Sequence, residues 1–174
     1  MSVGIIYSSK YKYEYKGLNM SLDKTDRKIL DLIQQDASMS ASEIAERVNL
    51  SQPPCWRRIK RLEEEGYILK RAGLLNRKKL GLNTVIYTEV QLTANGRQEL
   101  HAFEEAVRNM PEVTECYVML GRVDFLLRIV TKDMETYERL YRDQLSQMPG
   151  VQEFNSSVAM NEVKHCTELP LQYS

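Results

Sequence analysis

The hydrophobic positions change period once along the chain, near Gly81, and the change divides it in two. Before it, the pattern predicts three helices over residues 22–68. Ile29, Leu30 and Ile33 form an apolar face behind Asp23, a natural N-cap. Ser40-Ala41-Ser42-Glu43 has the spacing of a capping box and opens a second helix with Ile44, Ala45 and Val48 on its face. Val48-Asn49-Leu50-Ser51 is a short turn in which Asn49 suits a left-handed backbone. Ser51 can cap the third helix, and Pro53 and Pro54 fit its first turn, where backbone N–H groups have no intrahelical partner. The helix runs to Glu65 and stops at Gly66. At about 100° per residue, Cys55, Ile59 and Leu62 share one stripe, with Trp56 at its border as a packing residue. Two helices joined by so short a turn make a helix-turn-helix. Residues 67–71 and 74–79 then predict either a short β wing or an extended connection.

Beyond Gly81 the signal becomes mixed. Residues 84–92 are β-branched and half alternating, as in a strand. Residues 96–110 are helical, with Leu100, Phe103, Val107 and Met110 on one face. Strands follow over 113–120 and 125–131, joined by Gly121-Arg122-Val123-Asp124. A helix over 134–145 carries Met134, Tyr137 and Tyr141 on one side, and 151–164 is extended. Met110-Pro111-Glu112-Val113 is echoed by Met148-Pro149-Gly150-Val151, each copy ending a helix and starting a strand. The order βαββαβ, in two similar halves, predicts a ferredoxin-like domain. The fold class is α+β: a winged helix-turn-helix domain over 21–70, a linker or wing over 71–83, the βαββαβ domain over 84–170 and a tail over 171–174. Residues 1–20, rich in Tyr, Ser and Lys, read as a disordered tail, as a start placed too early with Met20 as the alternative, or as an arm touching DNA or a partner.

Charge sharpens the division. The chain is neutral overall, with 24 Lys+Arg and 24 Asp+Glu. Residues 1–80 hold 16 cations against 10 anions, and the remainder holds 8 against 14, so the halves carry +6 and −6. Four cations fall within Arg57-Arg58-Ile59-Lys60-Arg61. A basic cluster on the second helix of a helix-turn-helix is the footprint of a nucleic-acid contact. Arg57, Lys60 and Arg61 lie opposite the apolar stripe and Arg58 on its flank. Ser51, Gln52 and Pro54, at the N-terminal end, join them as candidate DNA contacts. Gln and Arg can read base edges, while Lys more often meets phosphate. The bland alternative is a solvated helix face.

Hydrophobic content of 43% is that of an ordinary globular protein. No apolar run is long enough to cross a bilayer, and the N-terminus lacks the basic and apolar regions of a signal peptide. Three scattered cysteines, Cys55, Cys116 and Cys166, fit a reducing cytoplasm. With only His101 and His165, no cluster has metal-ligand spacing, and no cofactor is expected. Cys55 is either a small core residue or a thiolate favoured by nearby cations.

Leu22-Asp23-Lys24-Thr25-Asp26-Arg27-Lys28-Ile29-Leu30, Leu50-Ser51-Gln52-Pro53-Pro54-Cys55-Trp56-Arg57-Arg58-Ile59-Lys60-Arg61-Leu62-Glu63 with Gly66-Tyr67-Ile68, and Gly121-Arg122-Val123-Asp124-Phe125, in that order, resemble the leucine-responsive/asparagine-responsive (Lrp/AsnC) regulators of bacteria and archaea. The likeness spans roughly residues 21–170. It implies a cytoplasmic, nucleoid-associated transcription regulator binding double-stranded DNA. It also implies a homodimer paired through the second domain, dimers assembled into an octamer, and an amino-acid effector near the loop matching Gly121–Asp124. Arg122-Val123 departs from the family, where an aromatic often precedes the aspartate. The Cys55-Trp56 pair resembles one branch in which some members sense sulfur-containing or branched-chain amino acids, so the implied effector is leucine-, methionine- or cysteine-like.

Asp124 has two readings: it shapes a β-turn, or its carboxylate receives the effector's ammonium while the Gly121 backbone takes the carboxylate. Met119, Leu120 and Val123 would form an apolar wall beside Arg122, and Ser156 and Ser157 would add hydroxyls. Two rival functions remain open at this point. One is an architectural DNA binder without an effector. The other is an enzyme like the sirohaem decarboxylases, which look like this family in both domains and need a haem-like pocket with His or Arg at the chemistry.

Overall fold

The computed structural model describes residues 22–93 and 96–173, which form two compact units. The readings of residues 1–20 lie outside the described residues.

The helical unit comprises α1 (Lys24–Gln35), α2 (Ala41–Arg47) and α3 (Gln52–Glu64). Every predicted stop and start signal but the Ser51 cap has a physical counterpart. Asp23 caps α1 by accepting from the Asp26 backbone N–H at 2.7 Å, and the Asp26 carboxylate reaches back to the Asp23 N–H. Ser40 and Glu43 form the same reciprocal box on α2. Asn49 takes a φ of 57°, turning the chain between α2 and α3, and Gly66 at 79° ends α3. Ser51 is the N-cap of α3, but its hydroxyl makes no capping bond, and Pro53 and Pro54 occupy the first turn. Ile29, Leu30, Ile33, Ile44, Ala45, Val48, Cys55, Ile59 and Leu62 form the core.

Of the two expectations for residues 67–79, the β wing is not observed: 67–76 run as an irregular connection and 77–80 form a turn. No strand forms there. Arg71 instead ties the connection down, donating to the carbonyls of Ala37 and Met39 at 3.3 Å each.

The helical unit also reclaims the end of the chain. In the fold, residues 164–173 group with it. The Gln34 amide donates to the Leu169 carbonyl (3.1 Å) and accepts from the Leu169 N–H (2.9 Å). One side chain thereby satisfies a backbone segment as a neighbouring strand would. Leu171 packs against the helical core.

The second unit, Asn76–Val163, contains β1 (Thr84–Leu92), α4 (Gly96–Arg108), β2 (Val113–Val118), β3 (Phe125–Thr131), α5 (Met134–Asp143) and β4 (Val151–Val158). The sheet order is β2-β3-β1-β4, with every pairing antiparallel. This is the βαββαβ arrangement read from the sequence. Strands β2 and β4 end at Val118 and Val158, short of the extended runs expected. Ile86, Val90, Phe125, Leu127 and Ile129 face Phe103, Val107, Tyr137 and Leu140 of the helices in one core. The Met-Pro repeat has a structural meaning: Met110 and Met148 are both buried, and each donates its N–H to the carbonyl three residues earlier. The opposite sheet face carries exposed Tyr87 and Tyr117.

Candidate nucleic-acid interface and effector loop

The core stripe of α3 is as expected: Cys55, Ile59 and Leu62 are buried. The remaining faces are not alike. Ser51, Gln52, Arg57 and Lys60 are exposed. Trp56 joins them with 53% of its surface exposed, so it is a surface side chain and not the packing residue expected. Its place at the border of the apolar stripe was the signal, since a border residue can fall to either side. Pro54 is half-buried beside Arg57.

Arg58 and Arg61 behave differently from Arg57 and Lys60. Arg58 Nη1 donates to Asp23 Oδ2 at 2.6 Å and to Asp26 Oδ1 at 2.7 Å. Arg61 Nη2 donates to Asp26 Oδ2 at 2.6 Å. The Asp26 side chain is 2% exposed, against 33% and 35% for the two arginines. A carboxylate this buried is tolerable because each oxygen accepts a charge-assisted hydrogen bond. Hydrogen bonds to Asp23 and Asp26 raise the Arg58 pKa further above its ordinary value, the Asp23 bond contributing most. The Asp26 backbone N–H, then Arg58, hold Asp23 below the usual carboxylate range. Burial pushes the Cys55 thiol up and outweighs the opposing charge of Arg58, which favours the core reading of Cys55 over the thiolate reading.

In the sheet unit, the Gly121–Asp124 segment joins β2 to β3. Gly121 adopts a φ of 149°. The Asp124 carboxylate accepts the Leu92 N–H at 2.7 Å, while its own N–H donates to Val90. The aspartate therefore closes the end of the sheet, and one of its oxygens is already engaged. Gln91 donates to the Arg122 carbonyl at 2.8 Å, and the Arg122 side chain pairs with Glu89 at 3.2 Å. Met119 and Leu120 are exposed and Val123 is half-buried.

Within one chain, Ser156 and Ser157 do not line this loop. They pair with Thr88 and Tyr87, whereas the loop meets β1 at Val90 and Leu92. The two serines also face opposite ways, as strand neighbours must. Ser156 hydrogen-bonds Thr88 at 3.0 Å and Tyr137 at 2.6 Å on the helix side, and Ser157 lies beside exposed Tyr87. Among the described residues no group of His, Cys, Asp and Glu could hold a metal, and no helix is long and apolar enough to cross a membrane.

Two family models match the chain: a winged helix-turn-helix DNA-binding domain over residues 22–68, and an Lrp/AsnC ligand-binding domain over 85–169. The DNA-binding transcriptional activator DecR of Escherichia coli is 37% identical over 151 residues, covering 87% of this chain and 99% of that protein. A proline dehydrogenase transcriptional activator of Rhizobium radiobacter is 39% identical, covering 82% of this chain and 92% of its own. Among solved structures, a Neisseria meningitidis transcriptional regulator in complex with L-Met superposes with a TM-score of 0.84 at 36% identity, covering 88% of this chain and 99% of that one. The chain, with a helix-turn-helix unit, a βαββαβ unit and relatives matched over nearly their full length, belongs to the Lrp/AsnC family of DNA-binding transcription regulators.

Proposed function

We propose that this regulator reads duplex DNA through the exposed face of α3, with Ser51, Gln52 and Trp56 near its N-terminal end and Arg57 and Lys60 behind them. A homo-oligomer responding to an amino acid presents that face. The observation that carries this reading is the pair Arg57 and Lys60, exposed on the second helix of a helix-turn-helix. The regulators among its relatives support a role in transcription in preference to an enzymatic one. The open sheet face with Tyr87 and Tyr117 supports pairing between copies through the second unit.

For the effector, the L-Met complex of the Neisseria regulator makes methionine the first candidate. Asp124 has an oxygen left for an ammonium group after Leu92 is served, and Met119 and Leu120 offer apolar surface. An effector acts by binding one assembly better than another.

The test begins with selection of a binding duplex from a random library by the wild-type protein. Arg57→Ala is expected to weaken binding to that duplex about ten-fold or more without lowering the melting temperature. Unchanged affinity would remove α3 from the interface. In parallel, a thermal-shift screen of the amino acids at millimolar concentration is expected to give a selective stabilisation by L-methionine or a close analogue. No shift with any amino acid would leave an effector-independent DNA binder.

A further inference from the structure

The four cations of α3 divide into an exposed pair and a held pair. Arg57 and Lys60 are exposed, with Lys60 only 4.0 Å from Glu63 on its own helix. Arg58 and Arg61 are gripped from α1, across 32 and 35 residues of chain, by opposite oxygens of one buried carboxylate. These four side chains do not act alike at an interface, because only the held pair has a fixed direction.

The held pair lines a notch of about 340 Å³ together with Asp23, Pro54 and Arg57. Arg58 spends Nη1 on the two aspartates and Arg61 spends Nη2 on Asp26. The other amino group of each guanidinium makes no hydrogen bond among the described residues. Three guanidinium groups and one carboxylate, Asp23, line the notch, while Asp26 bonds Arg58 and Arg61 and Glu65 lies 4.0 Å from Arg61 Nε. Planar forks with donors to spare suit a tetrahedral oxyanion. Asp23 is also the more exposed of the two carboxylates, its side chain 49% accessible against 2% for Asp26.

We propose that Asp26 is a positioning residue of the DNA-binding face: it holds Arg58 and Arg61 on the wall of the Asp23–Pro54 notch so that both meet one backbone phosphate, and Asp23 screens Arg58 until that phosphate displaces it. The inference rests on the reading of α3 as the DNA-binding helix. It gives two aspartates, three residues apart, opposite effects. Removing the Asp26 charge loosens the arginines and weakens binding. Removing the Asp23 charge withdraws a competitor and strengthens it.

The experiment measures the affinity of the full-length chain for the duplex selected by the wild-type protein, across a salt series, for Asp26→Asn, Asp23→Asn and Arg58→Lys. Both aspartate variants add one positive charge, so long-range attraction alone would make both bind more tightly. The expected result is a loss on the order of ten-fold for Asp26→Asn, with the slope of log K against log salt shallower by about 0.9, one phosphate contact. Asp23→Asn, which keeps an N-capping side chain, is expected to gain affinity by about two- to five-fold. Arg58→Lys keeps the charge and loses the fork. It is expected to weaken binding with the slope kept and melting close to wild type, and it carries the test if Asp26→Asn does not fold. Equal tightening by the two aspartate variants, or wild-type binding in Arg58→Lys, overturns the proposal. If Arg57→Ala weakens binding as expected while these variants behave as wild type, only the positioning role has failed. If Arg57→Ala has no effect either, the reading of α3 has failed with it.

Discussion

The exposed face of α3 and the Gly121–Asp124 loop are the two surfaces on which this chain's function is read, and they are built in opposite ways. On α3, core and surface are separated by a 3.6-residue period, so Arg57, Lys60 and Trp56 can change without touching Cys55, Ile59 or Leu62. In the loop, the residue with the most chemistry is also structural: Asp124 holds the Leu92 N–H at the sheet's end. A surface on a helix face is expected to separate function from stability. A surface on a strand end is expected to couple them.

The largest expected effect is at the coupled site. Asp124→Ala leaves the Leu92 N–H without its acceptor and should cost about 1–3 kcal/mol, read by chemical denaturation. Asp124→Asn keeps an acceptor and should restore most of that stability, while the loss of charge still abolishes the amino-acid-dependent thermal shift. If Asp124→Asn responds to the amino acid as wild type does, the carboxylate serves the fold alone.

Next come the two serines. Ser156→Ala strands the buried Tyr137 hydroxyl and the Thr88 hydroxyl, and should cost about 1–2 kcal/mol. Ser157→Ala, on the open face beside Tyr87, should stay within about 0.5 kcal/mol of wild type in the monomer. Equal losses in denaturation would contradict the assignment of the pair to opposite faces.

Trp56→Ala should behave as a change on a separable surface. Affinity for the selected duplex is expected to fall about three- to ten-fold, with the melting temperature within a few degrees of wild type. A large drop in melting temperature would return Trp56 to the core.

The smallest effect is shared by both units and comes from the helix caps. Asp23, Glu43 and Asp133 are all held below their ordinary values of 3.8, 4.5 and 3.8, chiefly by the Asp26 backbone N–H, the Ser40 hydroxyl and the Thr136 hydroxyl. A carboxylate depressed in the native state contributes stability that is fully present above its unfolded value and is lost as pH falls through the native one. Melting temperature should therefore be flat from these groups above about pH 5 and decline progressively below pH 4.5, in a thermal melt series. Asp23→Asn should soften the decline.

Local chemistry made most of the fold legible. Asp23, the Ser40–Glu43 box, Asn49 and Gly66 act within a few residues of themselves, and the helix-to-strand period change at Gly81 marks the second unit. What escaped the sequence are contacts made over long separations. Asp26 lies in the first turn of α1, and nothing in the period of α3 reveals that it reaches Arg58 and Arg61. The return of residues 164–173 depends on Gln34, 135 residues away from Leu169. The bond from Leu92 to Asp124 likewise ties the end of β1 to the loop before β3, 32 residues away. The opposed serines were within reach, because adjacent strand residues always face apart.

The central claim is that the exposed cations of α3 meet DNA. It is tested most directly by the salt dependence of binding to the selected duplex, for wild type and for Arg57→Ala with Lys60→Ala. The account predicts that the double variant binds more weakly, melts as wild type does and has a slope of log K against log salt shallower by up to about 1.8, two phosphate contacts. A double variant with the wild-type slope and affinity would contradict it.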